Sequence, residues 1–394
     1  MTMNDMVDLG EFVDSDDECD VEDFAEDPER YSQGLYYPVC IGDVFSNRYR
    51  IEHKLGHGGF STVWMAHDML KKEDIALKIM SPGQPGEHEY HMYKKVLLAV
   101  SDTSNLLLCK DTFLVHTPAN THRIVVLPLQ GPNLRDYTVN QPIVTRMKGA
   151  VQILQALSRL HDGGIVHRDL NSANVMQSLR PFDTSSIATK YQKLGRPRKV
   201  PVRPSQWKEG ELVRPISATQ DLVLDTFFIG DFGLAVEVGT VVTDSFQTPA
   251  KYCAPERSHN VDPSLALDIW SYMCLFAELY TGIPLFRGSA NATAIRSMVN
   301  YLGPLPESWK GQFTGGGSSE DAWYNQQRMP NPGSEDLRER LERLRPDVSS
   351  NELDLVLGIL RWGLAYRPEE RPTALEILQH SSFKSLMQNY GIKF

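Results

Sequence analysis

The chain has 394 residues, 41% of them apolar and 23% charged, a composition that supports packed globular structure. No run reaches the roughly 18 uncharged apolar residues of a membrane span, the acidic start MTMNDMVDLGEF lacks a secretory pattern, and five scattered cysteines without a CxxC pair give neither a disulfide framework nor a zinc site. The net charge of −10 sits at one end: residues 1–30 hold thirteen acidic side chains and one basic, a net −12, so the remainder is near neutral and lacks a basic nucleic-acid footprint.

These properties predict no membrane partner and no direct nucleic-acid partner. Reduced thiols predict the cytoplasm and/or nucleus. In chain order, residues 1–30 read as an acidic disordered tail. Residues 31–47 read as an N-terminal extension in which Tyr36, Tyr37 and Pro38 begin the ordered part. From Arg48 the pattern is strand-rich: Tyr49–Leu55 alternates, glycines follow, and Ser61–Ala66, Ile75–Ile79 and Thr121–Leu127 are further strands. One helix is expected near residues 87–100. After Asn133 the period becomes helical, with Met147, Ala150, Val151, Leu154, Leu157 and Leu160 on one face and Gly163-Gly164 ending the helix. Residues 266–281 are apolar nearly all round and predict a buried helix capped by Gly282. Residues 178–226, basic and proline-rich, and 311–335, glycine-rich and polar, read as surface insertions. The whole predicts an α+β fold of two lobes: a small, mainly antiparallel β lobe with one helix (about 48–130), and a larger, mainly helical lobe (about 131–383). A tail follows at 384–394.

Five motifs carry chemistry. Leu55-Gly56-His57-Gly58-Gly59-Phe60-Ser61-Thr62-Val63 places glycines between two strands, where backbone N–H groups can approach phosphate oxygens without a β-carbon in the way. Lys78, in Ile-Ala-Leu-Lys, would supply positive charge to phosphates. It needs a carboxylate partner: Glu89 is the first choice and Glu87 the alternative. His167-Arg168-Asp169-Leu170-Asn171-Ser172-Ala173-Asn174 fits H-R-D-L-x-x-x-N at every fixed position, with Asp169 orienting a hydroxyl and accepting its proton, and Asn174 holding Mg²⁺. Asp231-Phe232-Gly233 follows a short apolar strand that brings the Asp231 carboxylate to the metal. Thr248-Pro249-Ala250-Lys251-Tyr252-Cys253-Ala254-Pro255-Glu256 closes the segment opened by Asp231. Glu256 needs a buried partner, for which Arg371 is the choice, and Asp268 is expected to anchor the catalytic loop.

Together these motifs resemble the eukaryotic protein kinase superfamily over about residues 48–383. The run from Tyr31 through Gly42-Asp43 to Lys54-Leu55-Gly56 and Phe60-Ser61-Thr62-Val63-Trp64 resembles SR-protein kinases, which act on Arg-Ser-rich splicing factors, and their fungal relatives in particular. Ser61 in place of the last glycine fits that group, as does the spacer within the 57 positions from Asn174 to Asp231. The resemblance implies ATP and Mg²⁺ as cofactors, and protein substrates with Ser/Thr acceptors, Arg-Ser-rich ones by the narrower match. It places Leu127 at the gatekeeper and Pro128 to Gln130 at the hinge, with Leu55, Val63 and Ala76 around the nucleotide. Thr248, beside the catalytic aspartate, favours a Ser/Thr acceptor. Asn171 stands where such kinases keep a lysine that contacts the γ-phosphate. Arg168 and Phe232 are the general kinase letters, and Thr243 and Ser245 are candidate phosphate acceptors opposite Arg168. Two other readings stay open: a pseudokinase scaffold without turnover, which Asn171 favours, and a small-molecule kinase, which the Ala-Pro-Glu element opposes.

Overall fold

In the computed structural model, which describes residues 8–137, 141–202, 207–242, 248–315, 320–327 and 336–394, the strand-rich segment forms a six-stranded sheet. Its order is Val44–Phe45, Tyr49–Gly58, Ser61–Asp68, Glu73–Met80, Thr121–Pro128 and Asp111–His116, with every neighbouring pair antiparallel. The edge strand Asp111–His116 is an addition to those expected. Period-2 alternation divides the faces. Ile75, Leu77 and Ile79 point into an apolar core with Trp64, Ala66, Ile124 and Val126. Ala76 and Lys78 therefore lie on the other face, directly across from Leu127 and Val63 respectively.

The chain divides into two compact units. The first comprises the described residues up to Tyr93, with Leu107–Pro132 and Gln177–Leu224; the second comprises Lys94–Leu106, Asn133–Met176 and Asp225–Phe394. The insertion expected within the larger lobe thus belongs largely to the sheet-bearing unit. It is not a featureless surface loop. Helix Ile187–Leu194 docks on the sheet through Lys190, whose buried ammonium donates to Glu52 (2.7 Å) and Asp74 (2.5 Å). Strands Arg198–Val202 and Gly210–Val213 form a second, antiparallel sheet.

That second sheet also corrects the expectation of a disordered tail, which fails from residue 8 onward. Strand Glu11–Phe12 pairs in parallel with Arg198–Val202. Val21, Tyr31 and Tyr36 are buried with Val200, Val202 and Leu212. The acidic side chains meet the basic insert: Asp8 and Glu11 pair with Arg196, and Asp17 and Asp20 with Arg198. The segment cannot pack alone, and it acquires a core only when the insert supplies the other half.

In the second unit, helix Ile143–Asp162 buries the six predicted positions. Gly164 takes the left-handed turn (φ 69°). Gly163 does not; a β-carbon there would meet Val100 at 2.9 Å, so its role is close approach. Helix Leu265–Thr281 is buried without a break from Leu267 to Tyr280 and ends at Gly282 (φ 87°). The expected tail at 384–394 instead continues helix Ser381–Asn389, with Leu386 and Met387 buried. Within the glycine-rich segment, Trp323 and Tyr324 are buried, because Trp323 packs edge-on against Phe313 and Tyr324 bonds His259 (2.8 Å).

Candidate functional site

In the first unit, strand Glu73–Met80 carries Lys78 and helix Gln84–Ala99 carries Glu89. The helix starts three residues before its expected position. Lys78 Nζ donates to both oxygens of Glu89, at 2.9 and 2.8 Å, and both residues are buried. Tyr93, one turn on, donates to Glu89 Oε1 at 2.8 Å. Glu87 instead pairs with Arg123 on Thr121–Pro128, which settles the choice left open by sequence. Tyr93 was legible only as an i+4 neighbour. Lys78→Met is expected to lower kcat by about a hundredfold or more, the scale for removing one preorganised electrostatic partner. A variant keeping over a tenth of wild-type turnover would exclude Lys78 from the reacting phosphates.

The glycine hairpin joins Tyr49–Gly58 to Ser61–Asp68, with Gly56 opposite Val63 and Gly58 opposite Ser61. A β-carbon on Gly56, Gly58 or Gly59 would meet nothing within 4 Å, and none of the three has a left-handed φ. The fold itself therefore does not demand glycine here. A cradle that a ligand approaches closely does, so the hairpin fits a polyphosphate. Ser81 N donates to the Phe60 carbonyl at 2.7 Å and fixes the turn. Leu55 packs beside Met65 and Leu129. Leu127 is buried, and Pro128 pairs with Ile75. Gln130 Oε1 is buried without a hydrogen-bond partner among the described residues.

In the second unit, the catalytic loop hangs from Asp268. Its carboxylate accepts from His167 N (2.7 Å) and Arg168 N (2.9 Å), and from His161 Nε2 at 3.0 Å. This hold supports Arg168 in a left-handed backbone (φ 66°), costly for a residue with a β-carbon unless its surroundings fix it. His161 carried no sequence signal. His167 Nδ1 accepts from Asp169 N (3.3 Å), so its Nε2 is the donor to the Gly230 carbonyl at 3.0 Å. The same ring lies 5.1 Å from Phe232. Gly230 N donates to the Asn174 carbonyl at 2.9 Å, and Gly233 N to Asp231 Oδ1 at 3.3 Å. Asp231 is itself left-handed (φ 60°). The two motifs are thus one hydrogen-bonded assembly.

Asp169 is its centre. Asn171 Nδ2 donates to Asp169 Oδ1 at 2.8 Å, and Asn174 Nδ2 to Oδ2 at 2.7 Å. Each carboxylate oxygen is held by its own carboxamide. Asn171 thus acts on the aspartate, and its Oδ1 accepts from Ala173 N at 2.9 Å. Burial pushes the Asp169 carboxyl above its ordinary range, and the charge of Asp231 acts in the same direction while the Asn174 bond opposes it. Two carboxylates disfavouring one another create a demand for a cation. Among the described residues no cluster of three or more His, Cys, Asp or Glu could hold a metal ion by itself. Asp231 offers a carboxylate, which suits Mg²⁺, a cation that uses one or two carboxylates and takes its remaining oxygens from phosphate and water. Thr248 is buried beside Asp169, and its hydroxyl favours the ionised carboxylate. Glu256 and Arg371 form the expected pair, bidentate at 2.7 Å. Thr243 and Ser245 lie outside the described residues.

The protein kinase domain family matches residues 49–192 and 218–383. The serine/threonine-protein kinase SRPK of Physarum polycephalum is 28% identical, over 93% of this chain and 92% of its own length. The SRSF protein kinase 3 of Sus scrofa is 31% identical over 44% of this chain and 33% of its own. A crystal structure of a kinase domain, 19% identical, superposes with a TM-score of 0.62, covering 89% of this chain and 99% of that one, and establishes the kinase fold. No helix among the described residues is long and apolar enough to cross a membrane. With the lysine–glutamate pair, the aspartate-centred loop and the Asp-Phe-Gly turn in place, the chain belongs to the protein kinase domain family, as a serine/threonine protein kinase similar to the SR-protein kinases.

Proposed function

We propose that the chain transfers the γ-phosphate of MgATP to serine or threonine hydroxyls of Arg-Ser-rich proteins. The observation that carries this reading is Asp169, with both carboxylate oxygens oriented by carboxamides and its proton affinity raised by burial. An aspartate so placed orients an acceptor hydroxyl and takes its proton as the new P–O bond forms. Lys78 binds phosphate oxygens and is kept in place by Glu89. Asp231 and Asn174 would hold Mg²⁺, which supplies positive charge to the phosphates when bound. Thr248 beside Asp169 supports a Ser/Thr acceptor.

The Arg-Ser substrate class is supported by the names of the Physarum and Sus scrofa relatives. The acidic N-terminal segment adds little charge complementarity toward an Arg-rich substrate, because four of its acidic residues are engaged by the chain's own arginines. None of the five cysteines, all among the described residues, is in a disulfide, which supports a reducing compartment, cytoplasm or nucleus. The test is a peptide array with MgATP. Arg-Ser peptides are expected to be phosphorylated above all others. Turnover on other sequences only would remove the Arg-Ser assignment. Turnover no greater than that of Asp169→Ala on every peptide would leave a scaffold.

A further inference from the structure

The glycine hairpin has two contacts that its motif does not predict. Tyr36 Oη donates to the Gly58 carbonyl at 2.5 Å. Arg30 Nη1 donates to the Gly59 carbonyl and lies 3.3 Å from Tyr36 Oη. Both residues come from the N-terminal segment, and both bond the carbonyls of the two peptide units at the tip. A peptide unit is planar, and no described bond is cis. The Gly58 carbonyl shares its plane with the Gly59 N–H, and the Gly59 carbonyl with the Phe60 N–H. In a trans unit the two groups point in opposite directions. Fixing the carbonyls from one side therefore fixes the direction of the N–H groups on the other.

We propose that Arg30 and Tyr36 are positioning residues for the phosphate-binding hairpin, so that the N-terminal segment is a working part of the nucleotide site. This rests on the reading of the hairpin as a phosphate cradle. Gly58 and Gly59 are exposed, and a β-carbon on either meets nothing. Ser81 N holds the next carbonyl, that of Phe60, and the two bonds from the N-terminal segment add to it at a glycine hairpin, the backbone most in need of restraint.

The two donors are themselves firmly mounted. Tyr36 is buried with Tyr31, Val21 and Leu212. Arg30 stacks over the Tyr36 ring at 5.3 Å. Glu26, on the same segment, makes a fully buried pair with Lys54 at 2.5 Å, and Lys54 lies on the hairpin's first strand. Lys54 Nζ also sits 3.9 Å over the Trp64 ring on the second strand. Behind them, Glu11–Phe12 is paired to the insert. Insert, N-terminal segment and hairpin form one chain of contacts, all within the first unit.

The test uses the full chain and three readouts: KM for ATP, amide exchange of residues 58–61 without nucleotide, and melting temperature. About a thirtyfold rise in KM for ATP is expected for Arg30→Ala/Tyr36→Phe, which is about 2 kcal/mol at about 1.4 kcal/mol per tenfold. Loop amides are expected to exchange faster, with the peptide KM and the melting temperature unchanged. Arg30→Lys, which keeps a donor, is expected to recover part of the ATP affinity. Wild-type exchange rates or an unchanged KM for ATP in the double variant would overturn the proposal. So would a lost affinity that tracks a fall in melting temperature and is not recovered by lysine. A wild-type chain that binds no nucleotide overturns the phosphate cradle first, and the proposal with it. Wild-type binding with an indifferent double variant overturns this proposal alone.

Discussion

Asp169→Asn is expected to lower kcat by about a thousandfold or more, within the range for loss of a positioned general base, without lowering the melting temperature. The substitution is nearly isosteric, so packing is retained. What it removes is the proton acceptor. A carboxyl whose folded pKa is raised above its ordinary 3.8 stabilises the fold only when protonated, and that contribution is lost as pH rises through the raised value. At neutral pH the ionised Asp169, beside Asp231, opposes folding, so its neutral replacement leaves the melting temperature the same or higher. The acid limb of the wild-type kcat/KM profile, which reports the free enzyme, is expected to lie above the ordinary carboxylate range for the same reason. Asn171→Ala removes one of the donors that favour the ionised form, and is expected to move that limb higher still. Two measurements decide the matter: a pH–rate profile and a thermal melt. An Asp169→Asn variant within tenfold of wild type, or one that unfolds, would reassign Asp169 from chemistry to structure.

The parts of the site that the sequence made legible are those in which chemistry dictates residue type at short range. Asp169 and Asn174 are five positions apart, and one tight loop brings both together. Glu89 was a choice between two carboxylates, and only geometry could decide it, since Glu87 and Glu89 differ in the helix face they present. Asn171 was legible as a missing lysine but not as a ligand of Asp169. Its side chain is short enough to turn back on its own loop, a conformation that a motif does not encode.

The N-terminal segment was misread for a different reason. Its order depends on residues far away in sequence: Asp8 and Glu11 meet Arg196, 188 and 185 positions away, and Val21 is buried against Val200 and Val202. Local periodicity cannot report such a core. One signal was available. A run of net −12 and a run containing Arg196, Arg198 and Lys199 occur in one otherwise neutral chain, and opposite charge blocks of that size attract. The valines of Lys199-Val200-Pro201-Val202, two apart, then mark the strand that receives the segment. The insert read as surface because proline and basic residues dominate it, yet Lys190 is buried by pairing with two carboxylates.

Arg371→Ala is expected to cost about 3–5 kcal/mol, the range for stripping one partner from a buried ion pair, and so to lower the melting temperature by about 5 °C, at roughly 1.2 °C per kcal/mol for a chain of 394 residues. The side chains of Arg371 and Glu256 are 0% and 2% exposed. Arg371 makes two bonds to Glu256 and donates also to the carbonyls of Ala365 (2.7 Å), Ala266 (2.9 Å) and Tyr366 (2.9 Å). Its guanidinium lies 5.0 Å over the Trp270 ring. Truncation leaves a buried carboxylate and three part-buried carbonyls without these donors. Lysine cannot replace it, because a point ammonium has three donors and no planar fork, whereas five bonds in fixed directions are needed here. Arg371→Lys is therefore expected to recover less than half of the lost stability. Glu256→Gln with Arg371→Ala is expected to be less destabilised than Arg371→Ala alone, since the double variant buries no unpaired charge. The pair also ties the turn Pro255–His259 to helix Leu265–Thr281 through Ala266, and Tyr252, just before that turn, bonds Ser172 of the catalytic loop at 2.7 Å. Loss of Arg371 should then reduce kcat well below the melting transition. A thermal melt and an assay at low temperature separate the two effects: a variant that melts early but turns over normally when cold would confine the pair to stability.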